Sequence, residues 1–125
     1  MAFRSRPGSE RSLSGLVRAF DLDEELARLR EKKEWQEGRR NAITLRKGGG
    51  SSVVLLAMGT GDRLEEHASP GPISLMVREG CIRFTAEGEA VEAGPETVLA
   101  CDAGVRHCVE ALSDAVCLLN IASGG

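Results

Sequence analysis

Aromatic residues are scarce in this chain, which has no Tyr, one Trp and three Phe among 125 residues. Proteins that bind single-stranded nucleic acid stack bases on several aromatic side chains, and this composition cannot supply such a surface. Positively charged residues are also few relative to negatively charged ones: residues 21–125 carry twelve Lys and Arg against eighteen Asp and Glu. An acidic body repels phosphate backbones, so nucleic acid is excluded as the main partner.

Long hydrophobic runs are absent as well. The longest, Val53 to Met58, has the length of a buried strand and is far too short to cross a bilayer. No hydrophobic region typical of a secretion signal is visible near the start of the sequence. The sequence therefore predicts a cytoplasmic protein with no membrane partner.

Cysteine occurs four times, at Cys81, Cys101, Cys108 and Cys117, and never as a CxxC pair. No histidine lies at zinc-finger spacing from any of them. All four occur in apolar, strand-like surroundings. We interpret them as reduced, partly buried thiols, and a disulfide framework or thiol catalysis is disfavoured.

Three segments are predicted from composition and periodicity. Residues 1–15 have the Ser, Gly, Pro and Arg content of a disordered tail, residues 16–38 form an N-terminal helical segment, and residues 39–125 form a β-barrel domain. Asp21 is the expected N-cap of the helix, with Glu24 at the capping-box position. Trp35 is expected to pack the helix on the body. The apolar face comprises Leu22, Leu26 and Leu29.

From residue 39 onward, short β-rich runs alternate with Gly, Pro and Asp turns, and no helix lies between them. Such a pattern predicts an all-β sandwich or barrel and excludes a doubly wound α/β fold. The predicted strands are Ile43–Leu45, Val53–Met58, Arg63–His67, Ile73–Val77, Ile82–Ala86, Ala90–Glu92, Thr97–Cys101, His107–Ala111 and Ala115–Ile121.

Only two histidines occur, and each follows a turn at a distinctive spacing. Gly61-x5-His67, with Gly80 after the next strand, resembles the first cupin motif, G-x5-H-x-H-x3,4-E-x6-G. Asp102-x-Gly104-x2-His107 resembles the P-x-G-x2-H core of the second motif, with Asp in place of Pro. The resemblance covers roughly residues 42–121. It implies the cupin fold, a double-stranded β-helix or jelly-roll barrel, with both histidine rings facing the interior, and it implies a homodimer.

The departures from the cupin motifs bear on metal binding. Metal-binding cupins use two histidines and a glutamate from the first motif and one histidine from the second. Here Ser69 stands at the second histidine, and Ile73 (or Ser74, with a corner one residue longer) stands at the glutamate. Only His67 and His107 remain as candidate metal ligands, and a divalent first-row metal such as Fe, Mn, Ni or Zn usually needs three or four protein donors. The resemblance therefore implies a degenerate site, and we expect no cofactor.

Strand alternation suggests one further lining residue. Glu65 has the same parity as His67 along its strand, so its carboxylate is expected to face the interior. We therefore expect a pocket lined by Glu65, His67, Ser69, Ile73 and His107. A single histidine inside a barrel is more often a hydrogen-bonded core residue than a ligand, but two at both motif positions favour a pocket.

Three functions stay open at this point, in order of preference. The first is a metal-free or weakly metal-binding barrel that binds a small ligand or serves as a sensing or scaffold domain. The second is a metal-dependent enzyme of the dioxygenase or isomerase class, its ligand set completed by Glu65, water or substrate. The third is metal-free acid–base catalysis by His67 or His107, since a histidine can exchange protons near neutral pH.

Overall fold

One helix and nine strands make up the described part of the chain. The computed structural model describes residues 17–32 and 41–123. The predicted tail and Trp35 lie outside these residues. The elements are α1 (Leu22–Arg30), β1 (Asn41–Gly48), β2 (Ser51–Met58), β3 (Arg63–His67), β4 (Ile73–Glu79), β5 (Ile82–Ala86), β6 (Glu89–Ala93), β7 (Val98–Cys101), β8 (His107–Ala111) and β9 (Ala115–Ala122). All nine predicted strands are present, with bounds shifted by a few residues.

The helix begins where its capping signal predicts. The Asp21 carboxylate accepts a hydrogen bond from the Glu24 backbone N–H at 3.1 Å, which satisfies one of the free donors of the first turn. Leu26 and Leu29 are buried, at 4% and 0% exposure. The helix ends at Arg30, short of the predicted segment end, and residues 33–38 lie outside the described ranges. No helix in the described ranges is long and apolar enough to span a membrane.

The strands form two antiparallel sheets. One has five strands in the order β1-β2-β9-β4-β7, and the other has four in the order β3-β8-β5-β6. Sequence-distant strands are paired throughout, as in a jelly roll. The predicted all-β barrel with a short N-terminal helix is confirmed.

Both faces of the five-stranded sheet contribute to a hydrophobic core, and the alternation of side chains divides its buried residues between the two cores. On the outer face, Leu55 and Val116 pack with the helix residues Leu26 and Leu29. The inner face contributes to the barrel core, which consists of Leu56, Met58, Leu75, Val77, Ile82, Phe84, Ala93, Val109, Ala111, Ala115 and Cys117. The helix thus packs on the outer face of the sheet, and residues of the two sheets form the barrel interior.

Two glycines allow close backbone contacts at the ends of β4. Gly80 has φ +78°, and a Cβ there would collide with the Asp114 carbonyl oxygen. A Cβ at Gly71 would collide with the Ala122 carbonyl oxygen. Only glycine permits these approaches without strain. Gly71 holds the corner before β4 against the end of β9, and Gly80 holds the turn after β4 against the start of β9.

Candidate ligand-binding site

The two histidines meet across a pair of neighbouring strands. His67 ends β3, His107 begins β8, and the two residues are directly opposite in the register. Their ring centroids are 4.4 Å apart, with the planes tilted by 58°. His107 is buried at 3% exposure, whereas His67 is exposed. One ring therefore lies inside the barrel and the other at its rim.

A β-bulge decides which residues of β3 face the interior. Leu64 pairs with Val109 and His67 with His107, so Glu65 and Glu66 together lie opposite the single residue Cys108. Such a bulge inserts one residue and shifts the alternation beyond it. Leu64 and His67 consequently share a face although they are three positions apart.

The expectation for Glu65 must be corrected for this reason. Its side chain is exposed and is not among the residues that line the cavity beside the histidines. Simple alternation from His67 placed it inside, but alternation holds only for a regular strand. The Glu66 carboxylate is also outside, where it accepts a 3.1 Å hydrogen bond from Arg106.

Backbone carbonyls hold both imidazole rings. The Nδ1 atom of His67 lies 2.8 Å from the Glu65 carbonyl oxygen, and that of His107 lies 3.0 Å from the Val105 carbonyl oxygen. A carbonyl oxygen can only accept, so Nδ1 must carry the proton that each bond requires. In the neutral rings Nε2 is then an unprotonated acceptor. Both tautomers are set by main-chain groups whose positions no sequence motif reveals.

A cavity of about 240 Å³ lies between the sheets beside the two rings. We call it the barrel cavity. His67, Ser69, Ile73 and His107 line it together with Ala68 and Pro70. Its other lining residues are apolar: Leu64, Leu75, Phe84, Val109, Leu119 and Ile121. It is smaller than the pockets that take drug-sized molecules, so its volume suits a small compact ligand.

Two further residues contact His107 that motif spacing does not identify. The Phe84 ring stacks on the imidazole, with centroids 5.2 Å apart and planes 11° apart. The Cys101 sulfur, from the opposite sheet, lies 3.9 Å from His107 Nδ1. Burial, followed by the negative charges of Asp102 and Glu87, raises the pKa of the Cys101 thiol. Cys101 is therefore a neutral thiol at neutral pH, and this environment disfavours nucleophilic attack by its sulfur.

The donor set does not fit a divalent first-row metal. Histidine ligands usually donate their second nitrogen to a carbonyl or carboxylate, and His67 and His107 both make such a bond. Beyond these two rings, however, the barrel cavity offers a serine hydroxyl and the apolar side chain of Ile73. In the described ranges no group of three or more His, Cys, Asp or Glu is placed to hold a metal ion. The hydrogen bonds that usually orient histidine ligands are therefore present, but the described residues provide too few side chains that could coordinate the metal itself.

Solved structures of other proteins have a similar architecture. A cupin superfamily protein from Desulfitobacterium hafniense matches with a TM-score of 0.66 and 16% identity over 68% of this chain and 78% of that one. A conserved protein of unknown function from Streptococcus pyogenes matches with a TM-score of 0.69 and 16% identity over 94% of this chain and 97% of that one. A cupin-2 domain-containing protein from Shewanella frigidimarina gives a TM-score of 0.67 at 10% identity over 82% and 93%.

No family model and no curated protein matches the sequence. Identities of 10–16% show a shared architecture and leave activity open. The matches agree with the two-sheet antiparallel barrel described above. This chain has the fold of the small RmlC-like cupins, a double-stranded β-helix.

Proposed function

We propose that this chain is a small-molecule-binding cupin that works without a metal, with its ligand in the barrel cavity. The observation that carries the proposal is the pair of adjacent imidazoles, each with Nδ1 at a backbone carbonyl, at an apolar cavity of about 240 Å³. Ligand sites of this kind combine mainly apolar walls with a few polar groups that set orientation. The two histidines supply those polar groups.

The tautomers define what the ligand must offer. Because Nδ1 of His67 and of His107 is bonded to a backbone carbonyl, the remaining nitrogen of each neutral ring accepts hydrogen bonds. An O–H or N–H group on the ligand satisfies such an acceptor, and a ligand without a donor leaves it unpaired in an apolar site. We therefore expect a compact, largely apolar molecule that carries at least one donor.

The metal-free part of the proposal rests on the missing donors at Ser69 and Ile73. The main alternative is a metal-dependent enzyme of the dioxygenase or isomerase class. It is favoured by the carbonyl bonds to both Nδ1 atoms, which match the outer shell of histidine metal sites. Acid–base catalysis remains a third possibility, supported by the fixed tautomer of His107.

Metal analysis separates the first two functions. Protein purified without an affinity tag is analysed for Fe, Mn, Ni and Zn, with His67→Ala as the comparison. His67 is exposed, so this substitution leaves the fold intact, unlike a change at buried His107. We expect far less than one metal per chain in both proteins. Stoichiometric metal in the native protein that disappears in His67→Ala contradicts the proposal.

Ligand binding is tested with phenol, a small ring with one donor. A ligand that binds only the folded state raises the melting temperature in proportion to its occupancy. We expect phenol to raise the melting temperature of the native protein. Ile73→Phe, which fills part of the barrel cavity, should abolish the shift. An equal shift in both proteins would show that phenol binds elsewhere and would refute the assignment of the site.

We also propose that the chain forms a homodimer in the cytoplasm. Val98, on the edge strand β7, is 61% exposed, and an uncovered apolar edge favours pairing. The four free cysteines suit a reducing compartment. In sedimentation velocity at micromolar concentration we expect a dimer that Val98→Lys dissociates. Val17→Lys, at a site 85% exposed outside the barrel, is the control; a monomeric native protein contradicts the dimer.

A further inference from the structure

A single row of residues crosses the whole five-stranded sheet and connects a lysine to the histidine site. Lys47 pairs with Ser52, Ser52 with Ile121, Ile121 with Ile73, and Ile73 with Cys101. Residues directly opposite one another on antiparallel strands point to the same face of the sheet. Ile73 and Ile121 line the barrel cavity, so the whole row faces the barrel interior.

This register brings a positive charge near the barrel cavity. Lys47 lies two strands from Ile121, about 10 Å away at the usual strand spacing. Its four-carbon stem is long enough to bring the ammonium group back over Ser52 toward the cavity mouth. The β1–β2 hairpin thus extends the inner surface of the sheet beyond the cavity, and Lys47 places a positive charge at the end of that surface.

A groove joins Lys47 to the barrel cavity. It has a volume of about 400 Å³, and its lining includes Lys47, Ser51 and Ser52. Ser69, Pro70 and Ile121 border both this groove and the barrel cavity. Lys47 is the one charged residue among its lining residues, and no carboxylate in residues 17–32 and 41–123 forms an ion pair with it. We call this surface the hairpin groove.

The other end of this row, at Cys101, borders a groove with negative charge. This second groove, of about 460 Å³, lies on the other side of Phe84 and is bordered by Glu87, Glu89 and Asp102, and no described residue of its lining is basic. Carboxylates there repel an anion, whereas the hairpin groove attracts one. An anionic ligand in the barrel cavity is therefore oriented with its charge toward Lys47.

We propose that the ligand is a small hydroxy acid, with its body in the barrel cavity, its hydroxyl on the histidines and its carboxylate in the hairpin groove on Lys47. The inference deepens the proposed function and depends on it. A hydroxyl provides the donor that the Nε2 acceptors require. One lysine matches a monoanion, and the neighbouring serine hydroxyls can donate to the second carboxylate oxygen.

The test uses two probes that share the ring and the hydroxyl, the anion 4-hydroxybenzoate and the uncharged 4-hydroxybenzamide, with affinities measured by titration calorimetry. The variants are Lys47→Gln, and Lys32→Gln as a control that removes an exposed lysine beyond the helix. We expect the benzoate to bind the native protein and Lys32→Gln equally, and Lys47→Gln about threefold to tenfold more weakly. The benzamide should bind all three proteins alike. Added salt should weaken benzoate binding to the native protein and to Lys32→Gln, which both keep Lys47, and should have less effect on binding to Lys47→Gln.

The other outcomes separate this inference from the function on which it rests. Equal affinities for the two probes, unchanged by Lys47→Gln, overturn the hydroxy acid assignment but leave a ligand-binding barrel. Binding of neither probe at millimolar concentration overturns both, as does binding that Ile73→Phe does not reduce. Weakening by Lys32→Gln to the same degree as by Lys47→Gln shows only a general charge effect and overturns the role of Lys47.

Discussion

Leu75 and Leu55 provide a matched test of whether the barrel cavity is a true void. Both lie on interior strands of the five-stranded sheet, and their exposures are 1% and 0%. Leu55 lies in the packed core beneath the helix, whereas Leu75 forms part of the wall of the barrel cavity. The same substitution therefore removes the same side chain from a filled and a partly empty environment.

Truncation of a buried leucine to alanine costs about 2–5 kcal/mol, and the cost depends on how many packing contacts are lost. The cavity-facing atoms of Leu75 have few partners to lose, since a void supplies no dispersion contacts. We expect Leu55→Ala to lower the free energy of unfolding by about 4 kcal/mol and Leu75→Ala by about 2.5 kcal/mol. Chemical denaturation with equal m-values measures the difference. Equal losses, or a larger loss for Leu75→Ala, would refute the description of the cavity as an unfilled space.

Two further predictions concern the contact between the β4–β5 turn, which contains Gly80, and the β8–β9 turn, which contains Asp114. Gly80→Ala should destabilise the protein by about 3 kcal/mol, because its left-handed backbone and the Asp114 carbonyl oxygen both oppose a Cβ. Gly88→Ala, at φ +77° in open space, should cost only about 1 kcal/mol in the same denaturation assay; equal costs would contradict the collision. Hydrogen bonds from the backbone N–H and the hydroxyl of Thr60 lower the pKa of Asp114 from its ordinary 3.8. Because the folded-state pKa is the lower one, this contribution to stability is present above pH 3.8 and is lost as the pH falls through the folded value. Asp114→Asn should flatten the pH dependence of unfolding in that window, and an unchanged slope would contradict the linkage.

The histidine site shows which features of the site can be predicted from motif spacing alone. The spacing that resembles the two cupin motifs predicts that His67 and His107 approach each other, and the structure places their rings 4.4 Å apart. Ser69 and Ile73, at the positions of the missing ligands, line the same cavity. These positions follow from turns and short strands, which are local features of the sequence. Glu65 is where this reasoning fails, because the bulge that follows Leu64 depends on pairing with β8.

Local sequence by itself determined the helix cap at Asp21, the nine strands and the turns between them. Each of these depends on residues close together in the chain. Only the tertiary structure decided the rest: the carbonyls that fix the histidine tautomers, the approach of Cys101, and the row that joins Lys47 to the barrel cavity. These depend on register between strands distant in sequence. A shift of one residue in register exchanges the two faces of a strand, so no local pattern contains that information.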